Sequence, residues 1–103
     1  MHALPKLLLP FFCFFTFLVS AQTGNLSGKI TDENSNQPLA GAAVSIEGIS
    51  KKTISESDGN YSIKGLSEGR YILLITYVGY DSKKIAEVEI IKGQLTVLNI
   101  VLS

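Results

Sequence analysis

SDGNYSIKGLSEGRYILLITYVGY, residues 57–80, holds four glycines and all four tyrosines of the chain, but no histidine or cysteine. Its opening SDGNY reads as a hairpin turn, because Gly59 can take positive φ and the Asp58 side chain can bond neighbouring backbone. Tyr61 and Ile63 then alternate with polar residues, as on a half-buried strand. After a second turn, GLSEGRY, comes the longest apolar run of the chain, RYILLITYV, which ends at VGYDS. The stretch therefore predicts a turn, a strand, and then the central strand of a sheet.

The same signals repeat on either side. Leu26, Gly28 and Ile30 alternate in NLSGKIT, and Val44 with Ile46 in AAVSIEG. KKTISES carries Ile54 alone, KKIAEVEII puts Ala86, Val88 and Ile90 on one face, and LTVLNIVL puts Leu98, Ile100 and Leu102 together. DENSNQPLAG clusters loop formers around Pro38, which has no N–H to give a ladder. All nine glycines lie beyond residue 22, most of them at or near strand ends, and no helical stripe competes. Short strands at this spacing predict an all-β chain folded as a small seven-stranded antiparallel sandwich.

MHALPKLLLPFFCFFTFLVSA, residues 1–21, reads differently. Lys6 precedes an apolar run from Leu7 to Val19, and Val19-Ser20-Ala21 offers small residues for cleavage before Gln22, the layout of a secretory signal. The run is too short for a membrane span, which needs about 20 residues. Cys13 follows Pro10-Phe11-Phe12, not the small residues of a lipoprotein site. The expected division is a signal peptide, 1–21, and one domain, 22–103. Eight Lys and Arg stand against nine Asp and Glu in the second part, so no electrostatic ground exists for binding nucleic acid.

The only His and the only Cys, His2 and Cys13, belong to the first segment. Residues 22–103 therefore cannot build a Ser-His-Asp or Cys-His nucleophile, nor a zinc site, both of which draw on those residues. Two carboxylate pairs, Glu56 with Asp58 and Glu87 with Glu89, have the spacing that puts both on one strand face, yet lysines flank them as on a solvated face. Asp32, Asn34 and Asn36 begin a calcium-loop spacing, which fails at Gln37 and Ala43. Asn25 and Asn60 fit the N-glycosylation pattern, a short one that arises by chance. A Lys29–Asn99 isopeptide would need both residues buried, whereas alternation turns both outward. No catalytic residue, cofactor or metal is expected.

One pattern exceeds scaffolding. In RYILLITYV both alternation sets are apolar, Tyr71, Leu73, Ile75 and Tyr77 on one side and Ile72, Leu74 and Val78 on the other, and Val97 and Val101 likewise oppose Leu98 and Ile100. Scattered exposed side chains are one explanation. The functional one is a partner-docking face built from Ile72, Leu74, Val78, Val97 and Val101.

The ordered motifs GKITDENSNQPLAGAAVSIEG, SDGNYSIKGLSEGRYILLITYVGY and LNIVL resemble the carboxypeptidase-like regulatory domain. That resemblance implies a Greek-key, transthyretin (prealbumin)-like sandwich with no catalytic residues. Behind a signal peptide, such a domain resembles the N-terminal extension of TonB-dependent outer-membrane receptors, at the periplasmic face of the outer membrane. The expected role is a non-catalytic interaction or regulatory module, with a protein partner or a downstream plug and barrel. Ser67-Glu68 replace a proline usual in the family, and a receptor would continue beyond Ser103. The alternative is a free-standing secreted or periplasmic sandwich that binds a protein or a glycan. The transthyretin-like fold includes a hydrolase, but that hydrolase family relies on histidines that residues 22–103 lack.

Overall fold

The computed structural model describes residues 23–103, so the signal-peptide expectation lies outside the described residues. Eight strands form: β1 (Thr23–Asp32), β2 (Ala43–Ile46), β3 (Lys52–Ile54), β4 (Asn60–Ser67), β5 (Gly69–Thr76), β6 (Lys83–Ile90), β7 (Leu95–Val97) and β8 (Ile100–Leu102). One sheet runs β4-β1-β7, with β8 continuing beside β1, and the other runs β3-β2-β5-β6. The chain crosses between sheets at β1–β2, β3–β4, β4–β5 and β6–β7.

Period-two patterning sets the core. Leu26, Ile30, Tyr61, Ile63, Ile100 and Leu102 from the first sheet meet Val44, Ile46, Leu73, Ile75, Val88 and Ile90 from the second. These are the inward halves of alternating strands, each buried because its partners across the gap are also apolar. The loop before β2 adds Leu39 and Ala42 to the core. Buried Ser55 fastens that loop: its Oγ donates to the Leu39 carbonyl at 2.6 Å and accepts the Ala42 N–H at 2.9 Å.

The all-β sandwich matches the expectation, but three details differ. SDGNY turns the chain from β3 to β4, which lie in different sheets, so it is a crossover and not a hairpin. The last predicted strand is two, and both pair with β1 in parallel, so the first sheet is mixed and not wholly antiparallel. The interruption at Leu98-Asn99 has a local cause. A Cβ placed on Gly28 would lie 1.8 Å from the Leu98 carbonyl oxygen and 2.6 Å from its carbon. Only glycine leaves room for the backbone to dip there. Tyr61 completes the arrangement, donating its hydroxyl to that same carbonyl at 2.6 Å, while Asn99 Oδ1 accepts the Lys29 backbone N–H at 3.0 Å.

Two bulges also shift the pattern. β4 runs on through Gly65 to Ser67, its register with β1 slipping opposite Asn25, whose Oδ1 accepts the Gly65 N–H at 3.1 Å. In β6, the register with β5 slips between Ile85 and Val88, and Glu87 takes φ 60°. The extra residue re-phases the strand, so Ile85 packs with Val88 and Ile90 against the core, and Ala86, expected on that face, is exposed.

Candidate docking surfaces

The outward face of the β3-β2-β5-β6 sheet holds two of the sequence candidates. Ile72 and Leu74 alternate with buried Leu73 and Ile75 and are half-buried. Leu74 sits between Ser45 on β2 and Lys84 on β6, while Glu47 donates its backbone N–H to the Ile72 carbonyl. Lys84 Nζ and Glu47 Oε2 meet at 3.2 Å. Those two residues flank β5 on opposite sides, so their ion pair crosses the strand beside Ile72 and Leu74. A second ion pair, Arg70 with Glu87 at 3.4 Å, lies at the β6 bulge.

Val78 is elsewhere, at the tip of a turn closed by a bond from the Tyr80 N–H to the Tyr77 carbonyl, and is 93% exposed. Tyr77 and Tyr80 stack beneath it, ring centres 5.5 Å apart. With Gly41, Ala43, Thr76 and Ser82, Tyr77 and Val78 line an open depression of about 430 Å³. Tyr80 is tied away from it, donating its hydroxyl to Asp32 Oδ2 at 2.6 Å. The Asp32 carboxyl also accepts the N–H of Asn34 and of Ser35 through Oδ1. The Tyr80 hydroxyl first, then the Ser35 and Asn34 N–H groups, hold it down at about 2 from the ordinary 3.8. The same bond pushes the Tyr80 hydroxyl up. With both oxygens engaged, Asp32 serves as the clasp of its loop.

Val97 and Val101 lie on the other sheet. Their partners on β1, Ser27 and Thr31, point outward, and parallel partners share a face. Leu95, beside Asn25, joins them. The three make a row along the sandwich, 58%, 62% and 44% exposed for Leu95, Val97 and Val101. The five candidates thus fall on two opposite faces and a turn. Leu95 was missed by sequence reasoning, although its spacing of two from Val97 was the available signal.

The remaining candidates are surface features. Asp58 lies below the ordinary carboxylate value, chiefly because it accepts the Asn60 N–H; general-acid work would need the opposite shift. Lys29 and Asn99 are both exposed. Tyr61 has its hydroxyl pushed up to about 12 by burial, in its structural role against Leu98. Among the described residues, no three of His, Cys, Asp and Glu gather as a metal would require.

What remains accessible is the two sheet faces and one turn, which defines the molecule as a small β-sandwich domain with a closed core. The chain belongs to the CarboxypepD_reg-like domain family, whose model matches residues 26–103. It is 33% identical over 67 residues to TonB-dependent receptor P3 of Formosa agariphila, covering 65% of this chain and 7% of that protein. It is 38% identical over 60 residues to TonB-dependent receptor P26 of the same organism, covering 58% of this chain and 6% of that one. Among solved structures, a type II cohesin–X-dockerin complex from Acetivibrio cellulolyticus contains a similar chain, with TM-score 0.66 and 26% identity over 77% of this chain and 56% of that one. The minor pilin of Streptococcus agalactiae shares the fold, with TM-score 0.61 and 20% identity over 79% of this chain and 44% of that one.

Proposed function

We propose that this chain is a non-catalytic interaction or regulatory module of a TonB-dependent outer-membrane receptor, held at the periplasmic face after removal of residues 1–21. The observation that carries the reading is the family match over residues 26–103 together with the likeness to two such receptors, of which the matched stretch is a small part. The chemistry agrees: residues 22–103 carry neither His nor Cys. The closed core leaves sheet faces and an open surface depression to meet a partner, whether a separate protein or a plug and barrel in the same polypeptide. Contact would draw on the outward residues Ile72, Leu74, Val78, Val97 and Val101. No helix of the described residues is long and apolar enough to cross a membrane.

A second reading is a free-standing exported sandwich that binds a protein or glycan. The likeness to a chain of the cohesin–X-dockerin complex favours it. An immunoblot against residues 22–103 on separated outer-membrane and periplasmic fractions divides the two. A band many times larger than 11.1 kDa in the outer membrane is expected. A small soluble periplasmic band would overturn the receptor reading and leave the second.

A further inference from the structure

We propose that the outward face of the β4-β1-β7/β8 sheet docks an acidic amphipathic helix of a protein partner, its apolar side on Leu95, Val97 and Val101 and its carboxylates toward Lys29 and Lys64. The inference rests on the interaction-module reading and names the surface and the chemistry of its partner.

The face is graded across its strands. Its β7/β8 column is apolar, its β1 column is short and mostly polar, and its β4 column runs from Asn60 through Ser62 to Lys64. No outward position on these strands carries a carboxylate. Lys51 adds a further charge beside β4, donating through Nζ to the Lys64 carbonyl at 3.2 Å. Asp58, in the turn before β4, accepts the Asn60 N–H and side-chain amide and attracts Lys29 electrostatically, while among the described residues neither Lys29 nor Lys64 forms an ion pair. An apolar ridge beside lysines that hold no ion-pair partner is complementary to a surface that pairs apolar side chains with carboxylates.

Dimensions select a helix. Leu95 and Val101 stand beside Asn25 and Thr31, six residues apart on β1, which is about 20 Å at strand rise. That matches three to four helical turns. The β4 and β7 columns are separated by two strand spacings, about 10 Å, close to a helix diameter. Ser27 and Ser62, paired at the centre, leave the middle of the face low. A strand added at the β8 edge fits less well, because the Val101 carbonyl accepts Lys83 Nζ at 2.8 Å and the Ser103 carbonyl accepts the Asp81 N–H.

The test is a titration of the ¹⁵N-labelled chain with a synthetic Leu/Glu amphipathic helix of about 14 residues, followed by amide shifts. Two control peptides replace every Glu by Lys or every Leu by Ser, and an alginate oligosaccharide serves as an anionic glycan. Shifts confined to residues 25–31, 60–64 and 95–101 are expected with the Leu/Glu peptide alone. Val97→Ser should weaken binding about fivefold, and Lys29→Glu with Lys64→Glu about tenfold. Both sites are exposed, so an unchanged spectrum of the free variants shows that the fold is intact. Absence of shifts, equal shifts with the Lys peptide, or binding relieved by Ile72→Ser and Leu74→Ser would each overturn the proposal. So would shifts from alginate in place of the peptide. None of these outcomes bears on the band size in the fractionation, so the two readings fail separately.

Discussion

In the β3-β2-β5-β6 sheet, outward Ile72 and Leu74 lie beside the Glu47–Lys84 ion pair; in the β4-β1-β7/β8 sheet, Leu95, Val97 and Val101 lie bare. The two sheets also differ in how they carry their irregularities. Besides its bulge at Gly65, the mixed sheet has a break turned inward, where Gly28, Tyr61 and the Leu98 carbonyl meet inside the sandwich. The antiparallel sheet turns its bulge outward, leaving Glu87 in a left-handed conformation at the surface. An apolar residue at an outward position therefore has two meanings. In one sheet it lies beside an ion pair that crosses its strand, and in the other it is a surface waiting for a neighbour.

This contrast can be broken experimentally, beginning where the inward defect is tightest. Gly28→Ala pushes a Cβ into the Leu98 backbone and should cost about 3 kcal/mol or more in urea unfolding, since backbone atoms have nowhere to move. A loss under 1 kcal/mol would mean that the break is soft. Ser55→Ala strands the buried Ala42 N–H and Leu39 carbonyl, and should cost about 2 kcal/mol by the same measurement. Tyr61→Phe removes one bond to Leu98 and should cost about 1 kcal/mol.

The outward defect should respond with the opposite sign. Glu87→Gly relieves a left-handed side chain worth about 1 kcal/mol and forfeits only an exposed ion pair, so thermal unfolding should shift upward by a degree or a few. A downward shift would show that Glu87 does more at the bulge than pair with Arg70. The smallest effect is in acid. Asp32 is held at about 2 when folded and has an ordinary value of 3.8, so its contribution is whole above 3.8 and fades as pH falls through about 2. Urea midpoints at pH 5 and pH 2 should therefore differ more in the parent than in Tyr80→Phe.

Much of the fold was legible in the sequence. Leu26 with Ile30, Val44 with Ile46, and Leu73 with Ile75 alternate over regular strands, and the structure buries each of them. The misreadings sit where regularity stops. Ala86 was assigned inward because a period of two has no symbol for a bulge, and Glu87 gives none, being an ordinary residue in an unusual conformation. LTVLNIVL reads as one strand because its interruption is caused by Gly28, some seventy residues earlier. Parallel pairing of first and last strands leaves no local mark either. Of the surface, the alternation disclosed outward apolar residues but not their distribution over two sheets, which is decided by pairing partners far apart in the chain. The Glu47–Lys84 pair that crosses beside two of them was equally hidden.

The parallel arrangement of β1 with β7 and β8 has a mechanical consequence. β1 begins at Thr23, two residues before Asn25 beside Leu95, and β8 ends at Leu102, beside Asp32, so the two points lie at opposite ends of a strand of 10 residues, about 30 Å apart. Tension applied through those two points runs along the strands. It loads the hydrogen bonds of β1 to β7 and β8 together, in shear, instead of peeling them one after another.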